Sequence, residues 1–368
     1  MKSFPRFFWR TALTLVVAFS PAVLFAQHYI QTNLVSDLPG LAKNPPDKRL
    51  KNPWGLSRGT TTPWWVSDNG TGLATLYDGN GVVQQLQVTI PSDPSQSATG
   101  TPTGTVFNGS PAFPVGGPNA PAIFLFVSED GTISGWNPTV NLHAAIAKVR
   151  QSTKSVFKGA TIAKDGIFHR LFVADFRQGK ILVYDSNFKP VPTLPGAFFD
   201  FVSKFGFAPF NIQNIGGNLY VGFAKQDSAK HDEVDGAGLG FVVAFNVKGM
   251  PVQFLEYGPW FNAPWGLALA PSDFGTFSHK LLVGNFGSGE ILAFNADTGR
   301  FEGKMLDLKG NTIRIDGLWT LSFASGDPGS RSGAGNALYF TAGINGEADG
   351  LFGNLTADPK ELVQGNGQ

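Results

Sequence analysis

The chain repeats one short motif six times: a glycine followed by an apolar strand that ends in Asp or Asn. The clearest copies are residues 72–78, 179–185, 240–246 and 289–295, and two more divergent copies are residues 131–137 and 350–354. Successive copies end about 50 to 60 residues apart, a period typical of a repeated four-stranded unit. The repeat therefore predicts an all-β fold, a six-bladed β-propeller with four-stranded blades.

The composition agrees with this architecture and excludes several classes of function. The 46 Gly and 25 Pro residues suit a chain with many tight turns, and a 13% aromatic content suits half-buried strands. A net charge of +1 gives no electrostatic reason to expect nucleic-acid binding. Because the chain has no Cys, disulfides, thiol chemistry and zinc–thiolate sites are excluded.

The first 26 residues have the pattern of a secretory signal peptide. Lys2, Arg6 and Arg10 form a basic start, an apolar stretch follows, and Ala26 can precede a cleavage site. We predict a signal peptide over residues 1–26 and export of the mature chain, which would be periplasmic or secreted. No later apolar run reaches the length of a membrane span. We predict one monomeric propeller domain over residues 27–368, with a short polar tail at 357–368.

The repeats can be divided into predicted strands. In the fifth unit the inner strand is predicted at residues 264–269, the second strand at 279–284, the third at 289–295 and the outer strand at 300–306. The first unit has its predicted outer strand at residues 82–90. The sixth unit lacks an outer strand, whereas the alternating segment 29–35 precedes the first blade and has no blade of its own. We therefore predict that this N-terminal strand completes the last blade and closes the ring.

The pattern resembles the six-bladed propellers of the NHL type, and the chain looks like an exported bacterial NHL-like family without an established activity. The resemblance covers residues 27–359. The segments that carry it are residues 33–37, 52–56, 67–72, 224–227 and 263–267. A more distant resemblance, in fold only, is to lactonase and streptogramin-lyase propellers. It implies a divalent metal held at the channel mouth by carboxylates, Asn or His.

Polar residues recur where each predicted second strand ends, on the loops that surround one mouth of the central channel. The candidate ligand-binding residues there are Asp68, Asn69, Glu129, Asp175, Lys225, Asp227, Asn285 and Asn345. Oxygen ligands suit a hard cation such as Ca²⁺, and the candidate metal ligands are Glu129, Asp175, Asp227 and Asn285. The alternative for each Asp and Asn is that its side chain caps a turn. The inner strands add further polar candidates at the same mouth: Asn52, Lys158, Asn211, Asn262 and Asp316.

Two other features leave alternatives open. An acidic insert at residues 225–240 contains Asp227, Asp232, Glu233 and Asp235, without the spacing of a known calcium loop. We interpret it as a solvated loop that covers one mouth, with His231 as the histidine on that face. The recurring tryptophans of three inner strands pack between neighbouring blades or, alternatively, form a platform for a sugar at the channel; they are Trp54, Trp265 and Trp319.

The sequence thus predicts an exported scaffold that binds a small molecule, a carbohydrate or a protein. The alternative is a metal-assisted hydrolase or lyase that acts at the channel mouth. Neither a Gly-x-Ser-x-Gly nor a His-Glu-x-x-His motif occurs. The sequence leaves the choice between binding and catalysis open.

Overall fold

The computed structural model describes residues 28–95 and 99–362. The predicted signal peptide lies outside the described residues. Within them the chain forms six separate four-stranded antiparallel sheets, each a blade, and the first strands of the blades contact one another around a ring. The predicted all-β, six-bladed propeller is confirmed.

The first three blades are each built from four strands that follow one another in the chain. Blade 1 contains β2 (Pro53–Ser57), β3 (Trp64–Asp68), β4 (Leu73–Tyr77) and β5 (Val88–Thr89). Blade 2 contains β6 (Pro102–Phe107), β7 (Phe124–Ser128), β8 (Thr132–Trp136) and β9 (Ile146–Arg150). Blade 3 contains β10 (Phe157–Asp165), β11 (Phe168–Asp175), β12 (Lys180–Tyr184) and β13 (Pro190–Val191).

The next two blades follow the same order, and the last blade takes its outer strand from the start of the chain. Blade 4 contains β14 (Phe207–Ile215), β15 (Asn218–Lys225), β16 (Gly240–Phe245) and β17 (Pro251–Phe254). Blade 5 contains β18 (Pro264–Leu269), β19 (Lys280–Asn285), β20 (Ile291–Asn295) and β21 (Phe301–Lys304). Blade 6 contains β22 (Leu318–Phe323), β23 (Leu338–Ala342), β24 (Leu351–Ala357) and β1 (Tyr29–Ser36).

Ring closure occurs as the sequence predicts, by antiparallel pairing of β1 with β24. The register runs from Tyr29 opposite Ala357 to Ser36 opposite Leu351, with a bulge after Asn33. Beyond β24 a single turn of helix, α1 (Pro359–Leu362), lies in the predicted polar tail, and His28 Nδ1 lies 2.6 Å from Glu361 Oε1 across the two ends of the propeller. This pairing removes the sheet edge that an incomplete last blade would expose.

The predicted outer strand of blade 1 is wrong in extent. We predicted a strand over residues 82–90, but only Val88–Thr89 pair with β4, next to an isolated bridge between Tyr77 and Val83. Between Val83 and Val88 the chain does not pair regularly with β4, so the sequence pattern overestimated the length of this strand.

Two glycines show why the repeats need this residue at fixed positions. Gly72 lies immediately before β4 and has a φ of +70°, a backbone conformation that residues with a side chain rarely adopt. Gly159, on the inner strand β10, has an extended backbone, but a Cβ there would overlap Asn211 of the neighbouring blade. Inner strands of adjacent blades therefore approach too closely for a side chain at that point.

The centre of the ring is filled by an aromatic plug, which we define as Trp54, Phe176, Phe210, Trp265, Phe286 and Trp319. Trp54 and Trp319 stack with ring centroids 3.6 Å apart, and Trp265 packs edge-on against both. All three tryptophans are buried. They come from blades 5, 6 and 1 and contact one another at the centre of the ring, where their burial leaves no open platform for a sugar.

The closing strand should carry a large share of the stability. Tyr29 is 1% exposed, stacks on Phe277 and donates its hydroxyl to the Phe274 carbonyl of blade 5. We expect Tyr29→Ala to lower the free energy of unfolding by about 3–5 kcal/mol, since it empties a buried aromatic site. Urea unfolding followed by tryptophan fluorescence measures this loss.

The matched control is Gln31→Ala, an exposed position on the same strand, which should change stability by less than about 0.5 kcal/mol. Equal effects of the two substitutions would contradict a closing role for the buried face of β1.

Candidate functional site

In blades 1, 3 and 5 the last residue of the second strand lies inside its blade and not in the channel. Asp68, Asp175 and Asn285 pair with the first residues of their inner strands and are 0% exposed. Asp175 Oδ1 accepts the backbone N–H groups of Val156 and Gln178 at 3.3 and 3.1 Å. Buried in this way, the three side chains hold turns together.

The side chains of Asn285 and Asp68 also form hydrogen bonds to nearby groups of their own blades. The Asn285 side chain accepts the N–H of Asn262 and donates to the carbonyl of Trp260. Asp68 Oδ2 accepts the Thr75 hydroxyl at 2.7 Å, and its Oδ1 has no hydrogen-bond partner among the described residues. Burial raises the pKa of Asp68 well above its ordinary value.

The position that follows these buried residues is the one that faces the channel. In blades 1 and 2 this position holds Asn69 and Glu129, and Asn69 Nδ2 donates to Glu129 Oε2 at 2.9 Å. The corresponding residues of blades 3, 4 and 5 are Phe176, Ala224 and Phe286. The structure thus brings together two of the predicted site residues, Asn69 and Glu129.

The other predicted site residues have different neighbours. Lys225 Nζ donates to the Phe205 carbonyl at 2.8 Å. Asp227 Oδ1 accepts the backbone N–H of His231, which fixes a turn of the acidic insert. Asn345 is exposed and donates its side chain to Asp349. Ligand binding by any of these residues stays a prediction.

A fully buried lysine occupies the centre of the mouth. Lys158, on β10, is 0% exposed, and its Nζ lies 2.8 Å from Glu129 Oε1 and 3.3 Å from Asp232 Oδ1. The same ammonium lies 4.5 Å from the centre of the Trp54 ring, the upper surface of the aromatic plug. Although burial lowers the pKa of Lys158, the charges of Glu129, Glu233 and Asp232 outweigh it and leave the pKa raised.

The acidic insert folds over this mouth, as predicted. Its chain doubles back on the end of β15, with a bridge between Gln226 and Glu233 and a bond from the Val234 N–H to the Lys225 carbonyl. The turn so formed brings Asp232 to Lys158 and lets His231 Nδ1 approach Asp232 Oδ1 at 2.9 Å.

We define the mouth cluster as Glu129, Lys158, His231, Asp232, Glu233 and Glu347. The hydrogen bond from His231 lowers the pKa of Asp232 to about 2, and the same bond raises that of His231. Burial raises the pKa of Glu233 to about 7. Burial also raises the pKa of Glu347, whose Oε1 accepts the Asn52 side chain at 3.1 Å. Carboxylates therefore outnumber cations in a partly dehydrated space.

One potential metal triad lies in this cluster. Ligand atoms of Glu129, His231 and Asp232 lie within 4.8 Å of one another, and no other such group of His, Asp or Glu occurs in residues 28–95 and 99–362. Of the four metal ligands suggested by the sequence, Glu129 alone belongs to it. Sequence reasoning missed Glu347, although it follows Asn345 by two residues.

These features define a six-bladed β-propeller whose channel is plugged by aromatic rings and whose one mouth carries a charged cluster. No protein-family model matches the chain, so the predicted NHL assignment is not supported. The chain belongs to a family with two uncharacterized proteins of Acanthamoeba polyphaga mimivirus. It is 32% identical to one over 85% of this chain and 76% of the relative, and 33% identical to the other over 85% and 82%. These relatives are viral, and they do not support the predicted bacterial origin.

Solved structures share the fold at low sequence identity. A streptogramin B lyase is 10% identical with a TM-score of 0.51, and the match covers 90% of this chain and 98% of the lyase. The PQQ-bound aldose sugar dehydrogenase of Streptomyces coelicolor is 14% identical with a TM-score of 0.52, covering 90% and 99%. Within the described residues no helix has the length and apolar character needed to cross a membrane.

The buried Asp68 should make stability depend on pH. Because its pKa is raised on folding, the folded state keeps a proton that the unfolded state has lost. The contribution of Asp68 to the free energy of unfolding should be fully present below the ordinary aspartate pKa of about 4 and should be lost as pH rises through the raised value. Asp68→Asn should remove this decline, as measured by urea unfolding at a series of pH values.

The control is Asp307→Asn, since backbone hydrogen bonding by Asn311 lowers the pKa of Asp307 and its contribution has the opposite sign. Parallel pH profiles for wild type and Asp68→Asn would show that the buried carboxyl does not titrate as described.

Proposed function

We propose that the protein is a binding scaffold whose mouth cluster takes a small molecule with one or more ammonium or guanidinium groups. The observation that carries the proposal is the excess of carboxylates at the mouth. Glu129, Asp232, Glu233 and Glu347 surround one lysine and one histidine. A further positive charge there relieves repulsion that burial otherwise makes costly.

The architecture supports binding at this face. The aromatic plug lies directly beneath Lys158, so the charged cluster is backed by packed rings on the side that faces the centre of the propeller. Asp232 is 59% exposed at its side chain, whereas Glu129 is 12% exposed. A ligand therefore meets Asp232 first, and Glu129 remains paired with Lys158.

A second candidate function is a metal-assisted hydrolase or lyase at the same mouth. The observation that favours it is the triad of Glu129, His231 and Asp232, with one nitrogen and two oxygen ligands. This set suits zinc better than Ca²⁺, which takes six to eight oxygens. The streptogramin B lyase shares the fold alone, and it lends this candidate no residue.

The proposal includes export of the protein. The basic start and apolar stretch of residues 1–26 support a cleaved signal peptide and a periplasmic or secreted location. A solvent-exposed mouth would there meet ligands from outside the cell.

Binding can be tested with a matched pair of probes, 1,4-diaminobutane and 1,4-butanediol, which differ in charge and little in length. We expect the diamine to bind the mouth with a Kd of about 1 mM or tighter and the diol not to bind. Glu347→Gln should weaken diamine binding about threefold or more, because it removes one carboxylate of the mouth cluster. Isothermal titration calorimetry at constant ionic strength measures both.

The control variant is Glu302→Gln, which removes a carboxylate that pairs with Lys280 on the outer part of blade 5. It should leave diamine binding unchanged. Equal weakening by the two variants, or equal binding of diamine and diol, would refute a specific cation site at the mouth.

A further inference from the structure

Lys158 is the second residue of the inner strand β10, a position whose side chain points toward the channel axis. The equivalent residues of the other five inner strands carry no charge; they are Trp54, Thr103, Phe210, Trp265 and Trp319. Lys158 thus introduces a single positive charge into an otherwise uncharged ring. Its stem passes the aromatic plug, and its ammonium ends between Glu129 and Asp232.

The ammonium and a metal ion would compete for the same oxygen atoms. Two of the three atoms in the potential metal triad belong to Glu129 and Asp232, the two residues that Lys158 contacts. A divalent ion bound by them would lie within a few ångströms of the ammonium. At that distance, in a partly buried site, the repulsion between the two cations is several times larger than in water.

We propose that Lys158 determines the cation specificity of the mouth by excluding divalent metals. Its ammonium is the resident counter-ion of Glu129 and Asp232. The triad of Glu129, His231 and Asp232 is a latent site for a zinc-type ion that forms only when the ammonium is absent. The inference goes beyond binding of an organic cation, because Lys158 stays in place when that ligand binds. It also argues against the metal-assisted candidate function, which requires the same triad to hold an ion in the wild-type protein.

The direct test is Lys158→Met, which keeps the length of the apolar stem over Trp54 and removes the charge. We expect wild type to show no saturable Zn²⁺ binding up to about 1 mM, and the variant to bind one Zn²⁺ at least about 100-fold more tightly. Co²⁺ absorption gives an independent readout of the ligand set. Zn²⁺ should also raise the Tm of the variant and leave that of wild type unchanged.

Three controls separate the proposal from nonspecific metal binding. Lys158→Arg keeps the charge and should behave as wild type. Lys158→Met combined with His231→Ala should lose the gained Zn²⁺ site, whereas Lys158→Met combined with His279→Ala should retain it, because His279 lies outside the mouth cluster. Lys158→Gln offers a second neutral side chain if the methionine variant does not fold.

Stoichiometric Zn²⁺ binding by wild type at its His231 would overturn the proposal without any variant. So would a folded Lys158→Met or Lys158→Gln protein with no gain in Zn²⁺ affinity. Failure of diamine binding refutes the proposed function and leaves these metal titrations unaffected, so the two ideas can fail separately.

Discussion

The pairing of β1 with β24 is the interaction on which the rest of the structure depends. A propeller blade buries its faces against two neighbours, so every blade needs the ring to be complete. Tyr29 extends the effect of the closing strand, since it packs against Phe274 and Phe277 of blade 5 while β1 completes blade 6. The first and last parts of the described chain thereby fix the positions of two blades at once.

Closure of the ring also lowers the free-energy cost of burying the Lys158 ammonium. Burial of an unpaired ammonium is costly, and the cost falls only when opposite charges are held close to it. Glu129 comes from blade 2, Lys158 from blade 3 and Asp232 from the insert of blade 4. Their contacts exist because the ring sets these blades side by side, and a change in blade spacing would leave the charges unpaired.

The sequence predicted the fold well because the strand repeat and its turns are local signals. The position of the N-terminal strand followed from counting, since the sixth blade lacked one strand. The site was harder to predict, because Asp68 and Asn69 are adjacent and only one faces the channel. That choice depends on the register irregularity between Pro53 and Leu56, which the sequence does not display.

The acidic insert is a second case in which the sequence predicted the location of a segment and not its contacts. Its acidic residues predicted a loop at one mouth, and the structure places it there. The contact of Asp232 with Lys158 joins residues 74 positions apart and depends on how the insert doubles back on β15. No local pattern contains that information, and the role of Lys158 as the common partner of two carboxylates could be recognised only from the structure.

The aromatic plug gives the molecule two chemically independent faces. Trp54, Trp265 and Trp319 are in mutual contact at the axis, so a layer of packed rings lies between the charged mouth and the opposite face. A ligand at the charged mouth therefore contacts residues of that face and of the ring layer, and residues of the opposite face lie beyond its reach. Evolution could therefore change the residues of one face to suit a new partner without changing the residues that bind a ligand at the other face.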